Sequence, residues 1–167
     1  MPFKPIFKTI MKVYLPLLLL LGFYASCTRS NIYENNVAIK SFKWDEKTKH
    51  AFKFDITDTV ANYNMYFTIR HSDAYPYSNI WLNIQTQFPG TDTSSQTRIE
   101  VPLADLEGKW LGRGMNEIWE HRMLIASPVK FSQTGQYTIT LQHAMRINPL
   151  PEIMSVGIRV EKASKEN

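Results

Sequence analysis

Cysteine is nearly absent from the chain: its 167 residues include one, Cys27. A single thiol excludes an intramolecular disulfide framework. A bilayer-spanning helix is missing too, because the apolar run of residues 13–25 is shorter than the roughly 20 residues such a helix needs. No strand-elbow serine motif, phosphate-loop pattern or closely spaced histidine pair occurs, so the commonest short signatures of hydrolase, nucleotide and zinc chemistry have no foothold. Internal repeats and long low-complexity linkers are also lacking.

The first 26 residues do carry a pattern. Lys4, Lys8 and Lys12 stand without any acidic neighbour ahead of the apolar run, and Tyr24-Ala-Ser-Cys27 closes it. A basic segment, a short apolar segment and small residues before a cysteine describe a lipoprotein signal peptide. Translation from Met1 or Met11 leaves a serviceable leader. Cys27 is therefore the expected lipidation site, its thiol taking a diacylglyceryl group and its freed amine a further acyl chain. Several acyl chains hold a protein on a membrane where one gives only reversible attachment. The residues after Cys27 carry no acidic run, which favours a periplasm-facing position at the outer membrane.

Removing residues 1–27 leaves 16 basic against 15 acidic residues, so the formal net charge falls from +4 to +1. Nothing in that balance supports a nucleic-acid surface. The expected organisation is a signal peptide over 1–26, a lipidated cysteine with a short polar tether over 27–36, and one domain over 37–167. About 140 residues suffice for a single core.

That domain reads as mainly β. Alternation with period two places Phe52, Phe54 and Ile56 on one face of a strand near residues 50–57, and Met65, Phe67 and Ile69 on one face near 63–70. Ile80, Leu82, Ile84 and Phe88 share a face over 79–88, with Pro89-Gly90 as the stop. Residues 97–101, 137–143 and 155–161 supply further strands. Seven or eight strands without helical crossovers favour a single antiparallel β-sandwich, with a jelly-roll-like order as one expectation. Residues 105–120 break the rhythm. Gly108, Gly112 and Gly114 alternate there with Trp110, Leu111, Met115, Ile118 and Trp119, which reads as one long glycine- and aromatic-rich loop with a short helical turn near 115–119.

Candidate chemistry is thin. His50, His71, His121 and His143 lie in different elements and are expected to pack or face solvent; no metal, cofactor or catalytic residue is assigned. Asp73 beside His71 reads as a turn residue. Trp110 and Trp119 offer large apolar anchors with a polar tip, and Tyr75-Pro-Tyr77 is a second aromatic cluster. These four aromatic residues, Tyr75, Tyr77, Trp110 and Trp119, are the candidate partner-binding residues. A carbohydrate-binding module, with the tyrosines stacking on sugar rings, is the alternative reading.

Longer stretches carry a resemblance. Phe54-Asp-Ile-Thr-Asp-Thr59, Tyr75-Pro-Tyr-Ser-Asn79, Pro102-Leu-Ala-Asp105, Gly108-Lys-Trp-Leu-Gly-Arg-Gly114, Gly135-Gln-Tyr137, Ala144-Met-Arg-Ile-Asn-Pro-Leu-Pro151, Ile153-Met154 and Val156-Gly-Ile-Arg-Val-Glu161 together resemble the gliding-motility lipoprotein GldH family of Bacteroidota. The resemblance implies a non-enzymatic accessory lipoprotein of the gliding and type IX secretion apparatus. Its partners would be other envelope proteins of that apparatus, reached from a lipid anchor in the membrane. No catalytic or cofactor residue carries over.

Overall fold

The computed structural model describes residues 31–163. The leader and Cys27, to which lipidation is assigned, lie outside the described residues. Among the described residues the chain forms eleven strands and one 3-10 turn (Lys40–Phe42). The strands are β1 (Asn31–Ala38), β2 (Lys43–Trp44), β3 (His50–Ile56), β4 (Tyr63–Ser72), β5 (Asn79–Gln87), β6 (Ser94–Pro102), β7 (Arg113–Met115), β8 (Ile118–Val129), β9 (Gly135–His143), β10 (Leu150–Pro151) and β11 (Ile153–Lys162).

They assemble into a five-stranded sheet of order β1-β11-β4-β8-β7, a four-stranded sheet of order β3-β9-β5-β6, and a two-stranded pair of β10 with β2. Every pairing is antiparallel. The fold is all-β and sandwich-like. Period-two alternation explains the layering. Phe52, Phe54 and Ile56 of β3, Tyr137, Ile139 and Leu141 of β9, and Ile80 and Leu82 of β5 are buried, as are Phe67 and Ile69 of β4 and Val156, Ile158 and Val160 of β11. Both larger sheets contribute to one buried cluster, in which each large aliphatic or aromatic side chain contributes about 1.5–3 kcal/mol relative to exposure.

Two expectations fail in this region. Residues 31–36, read as tether, are most of β1, the outer strand of the five-stranded sheet; its backbone pairs with β11 from Asn31 opposite Glu161 to Ala38 opposite Ser155. Edge strands leave one row of backbone groups and one face to solvent, so their asparagines look like linker. Residues 113–120, read as loop with a helical turn, form a hairpin. Asn116 turns it at φ 56°, a left-handed conformation that asparagine tolerates, and β8 runs on for twelve residues between β4 and β7. Its pattern was hidden because a histidine, His121, takes a buried position while Leu124 is exposed.

The register orients the molecule. Asn31 at the start of β1 lies across from Glu161, which lies across from Asn64 near the start of β4. His71, near the other end of β4, pairs with Ile153 and Trp119. The end that follows the tether and the end holding residues 71–77 are therefore separated by the length of β4, ten residues or about 30 Å.

Candidate docking site

At that far end, residues 103–117 form an arm laid against β8. Asp105 ties its tip: the carboxylate Oδ1 accepts from the backbone N–H of Glu107 (3.1 Å) and of Lys109 (2.7 Å), and its own N–H donates to the Lys109 carbonyl (2.9 Å). Gly108 completes the turn at φ +82°. Leu111 N–H then donates to the Leu103 carbonyl at 2.8 Å, closing a narrow loop on itself. Two further glycines permit close contact rather than an unusual backbone. A Cβ on Gly112 would sit 2.9 Å from the His121 ring, and one on Gly114 2.8 Å from the Trp119 ring.

The two tryptophans meet at one acid. Asp73 Oδ1 accepts from Trp110 Nε1 and from Trp119 Nε1, each at 2.9 Å, and the Asp73 backbone N–H donates to the Glu117 carbonyl at 2.7 Å. The turn after β4 thus clamps the arm and the β7–β8 hairpin together. Trp110 packs edge-on to His71 (centroids 4.5 Å apart), Tyr75 lies 5.1 Å from His71, and Tyr77 lies 5.6 Å from Tyr75.

Beneath them His71 and His121 are fully buried, with their Nε2 atoms 2.9 Å apart. His71 Nδ1 lies 2.7 Å from the Ser72 carbonyl. A carbonyl only accepts, so Nδ1 carries the His71 proton and Nε2 accepts from His121 Nε2–H. That assignment leaves His121 Nδ1 as a bare, buried acceptor without a partner among the described residues. Burial lowers both pKa values; His121 falls to about 4, by desolvation and then by the charge His71 would carry. Both rings are neutral at neutral pH. No group of three or more His, Cys, Asp or Glu among the described residues is placed to hold a metal ion.

All four aromatic residues singled out from sequence converge here, with unequal roles. Tyr75 is 3% exposed, and its hydroxyl donates to the Asn79 carbonyl at 3.0 Å; burial raises its pKa. It supports the surface from below. Tyr77, Trp110 and Trp119 are half-buried. The side chains that present apolar area to solvent are Leu106, fully exposed, Leu111 (52%) and Met115 (69%). Asp73 lies in a turn, as its sequence context suggests; its bonds to the two indoles have no sequence signal, since those partners lie 37 and 46 positions away.

A sequence model described as GldH lipoprotein matches residues 31–160. The chain belongs to the GldH lipoprotein family. Among curated GldH proteins, it is 30% identical over 147 residues to the gliding motility lipoprotein GldH homolog of Christiangramia forsetii, covering 84% of this chain and 89% of that one. It is 26% identical over 144 residues to the gliding motility lipoprotein GldH of Flavobacterium johnsoniae, covering 82% and 88%. Among solved structures, a non-crystalline cellulose specific carbohydrate-binding module overlaps 78% of this chain and 73% of its own, at 10% identity and a TM-score of 0.45. Of the stretches through which the GldH resemblance was read, residues 75–79 link β4 to β5, residues 102–105 and 108–114 build the arm, and residues 144–151 lead into and include β10.

Proposed function

We propose that this protein is a lipid-anchored, non-enzymatic accessory lipoprotein of the gliding and type IX secretion apparatus. It sits at the outer membrane facing the periplasm and acts through protein–protein contacts. Membership of the GldH family carries the reading, and the exposed apolar side chains of the clamped arm give those contacts a place. Anchoring at Cys27 raises the effective concentration of the domain near other membrane-held proteins. The docking surface is the far end: Leu106, Leu111 and Met115, backed by Trp110 and Trp119, with Tyr77 alongside and the buried Tyr75 supporting it from below.

The same reading takes residues 1–26 as signal peptide and the two larger sheets as the layers of a single sandwich with jelly-roll-like order; the shared buried cluster supports the latter. In-cell crosslinking of the affinity-tagged, lipidated protein followed by mass spectrometry tests the function. Secretion-apparatus proteins should be recovered from wild type and lost from a Leu111→Glu, Met115→Glu variant that still folds. Recovery of the same set from that variant would remove the arm from the interface.

A further inference from the structure

Beside the arm, the same end carries a cleft of about 670 Å³ whose lining includes Tyr77, Trp81, Arg98, Arg146 and Asn148. It continues the aromatic cluster, because Tyr77 packs on Tyr75, and it is lined by two guanidinium groups but no Asp or Glu. Glu100, across from Trp81 on β6, is held by Asn79 Nδ2 at 2.5 Å. Arg146 has no ion-pair or hydrogen-bond partner among the described residues.

Arg98 is set in place without being neutralised. Its guanidinium carbon lies 5.2 Å from the Trp81 ring centroid, and Nη2 reaches across to donate to the Ala144 carbonyl at 3.1 Å. One donor is used and the remaining N–H groups have no partner among the described residues. A planar fork held by stacking and one backbone bond loses little freedom on meeting a carboxylate. The guanidinium over the Trp81 ring covers one indole face, and the cleft's two cations favour a carboxylate over a neutral sugar.

We propose that this cleft receives the carboxylates of an acidic segment on a protein partner, with Arg98 as the pre-set fork and Arg146 as the second cation. The assignment rests on the docking reading of this end and adds the chemistry of what docks.

The test titrates the full lipidated chain, in detergent micelles, with a hexaglutamate peptide and, separately, with hexagalacturonate, a sugar chain bearing equivalent carboxylates. Saturable, salt-sensitive binding of the peptide is expected. Arg98→Gln and Arg146→Gln should each weaken it about tenfold, and Arg98→Lys should weaken it as well, since an ammonium neither forks nor stacks in the same way. Lys130→Gln, the same charge change at the other end of the molecule, should leave it unchanged. The proposal is overturned by no peptide binding, by hexagalacturonate binding at least as tightly, by full affinity in Arg98→Lys, or by an equal loss in Lys130→Gln. Failure here with crosslinks intact leaves the arm as the docking element. Peptide binding without any crosslinked partner would instead remove the docking reading.

Discussion

Asp73 shows how much a single side chain can organise. One carboxylate oxygen holds two indoles from separate parts of the chain, and hydrogen bonds to charged groups contribute more than neutral ones. Asp73→Ala should cost about 1–2 kcal/mol, toward the lower side because the carboxylate is solvent-exposed. It should also change the tryptophan fluorescence of the folded state; an unchanged spectrum and unfolding midpoint would mean the clamp is not formed. The histidine pair predicts a pH dependence. Its folded pKa values lie below the ordinary 6.5, so the unfolded chain takes up protons that the folded one resists. Stability is then full above about 6.5 and declines as pH falls toward about 4 for His121. Urea unfolding midpoints should drop over that window, and His121→Leu should make the drop shallower. The slope does not vanish, since His50 and His143 are also lowered by burial.

Individual strands were legible to different degrees. β3, β5 and β9 alternate, and β4 and β11 do so outside the buried runs at residues 67–69 and 156–158; all five appear close to where the pattern puts them, because their apolar side chains meet the core. β1 and β8 were illegible for opposite reasons: β1 is a polar edge, and β8 puts a histidine inside and a leucine outside. The β1–β11–β4 stack holds a tight point. A Cβ on Gly157 of β11 would sit 2.6 Å from Thr68 Oγ1 and closer still to Asn35 and Asn36 of β1. Gly157→Ala must push the edge strand outward, at about 1–3 kcal/mol. Hydrogen exchange should report faster exchange in β1 than in β3; uniform protection would mean the sheet absorbs the methyl elsewhere.

For the whole molecule, the order of anchor, sheet and arm matters more than any one contact. β1 begins four residues after Cys27, and the antiparallel register carries the arm to the opposite end of β4. With the proposed anchor at Cys27, the domain would hold its apolar arm and arginine cleft about 30 Å from the anchored end. Cys27→Ala should leave the domain folded and move it from the membrane fraction to the soluble fraction. Retention of that variant at wild-type membrane levels would show that something other than the acyl chains holds it there.

The sequence by itself determined the β class, most inward-facing residues and the aromatic residues of the far end, because period-two burial and bulky apolar side chains among glycines are local signals. The membrane leader and Cys27 are expectations of the same local kind. Tertiary structure alone decided which acid clamps the tryptophans, that two distant histidines share one proton bridge, and that Arg98 lies over Trp81. Each of these joins positions far apart in the chain, and such pairings are set by sheet register and packing rather than by any pattern along the chain.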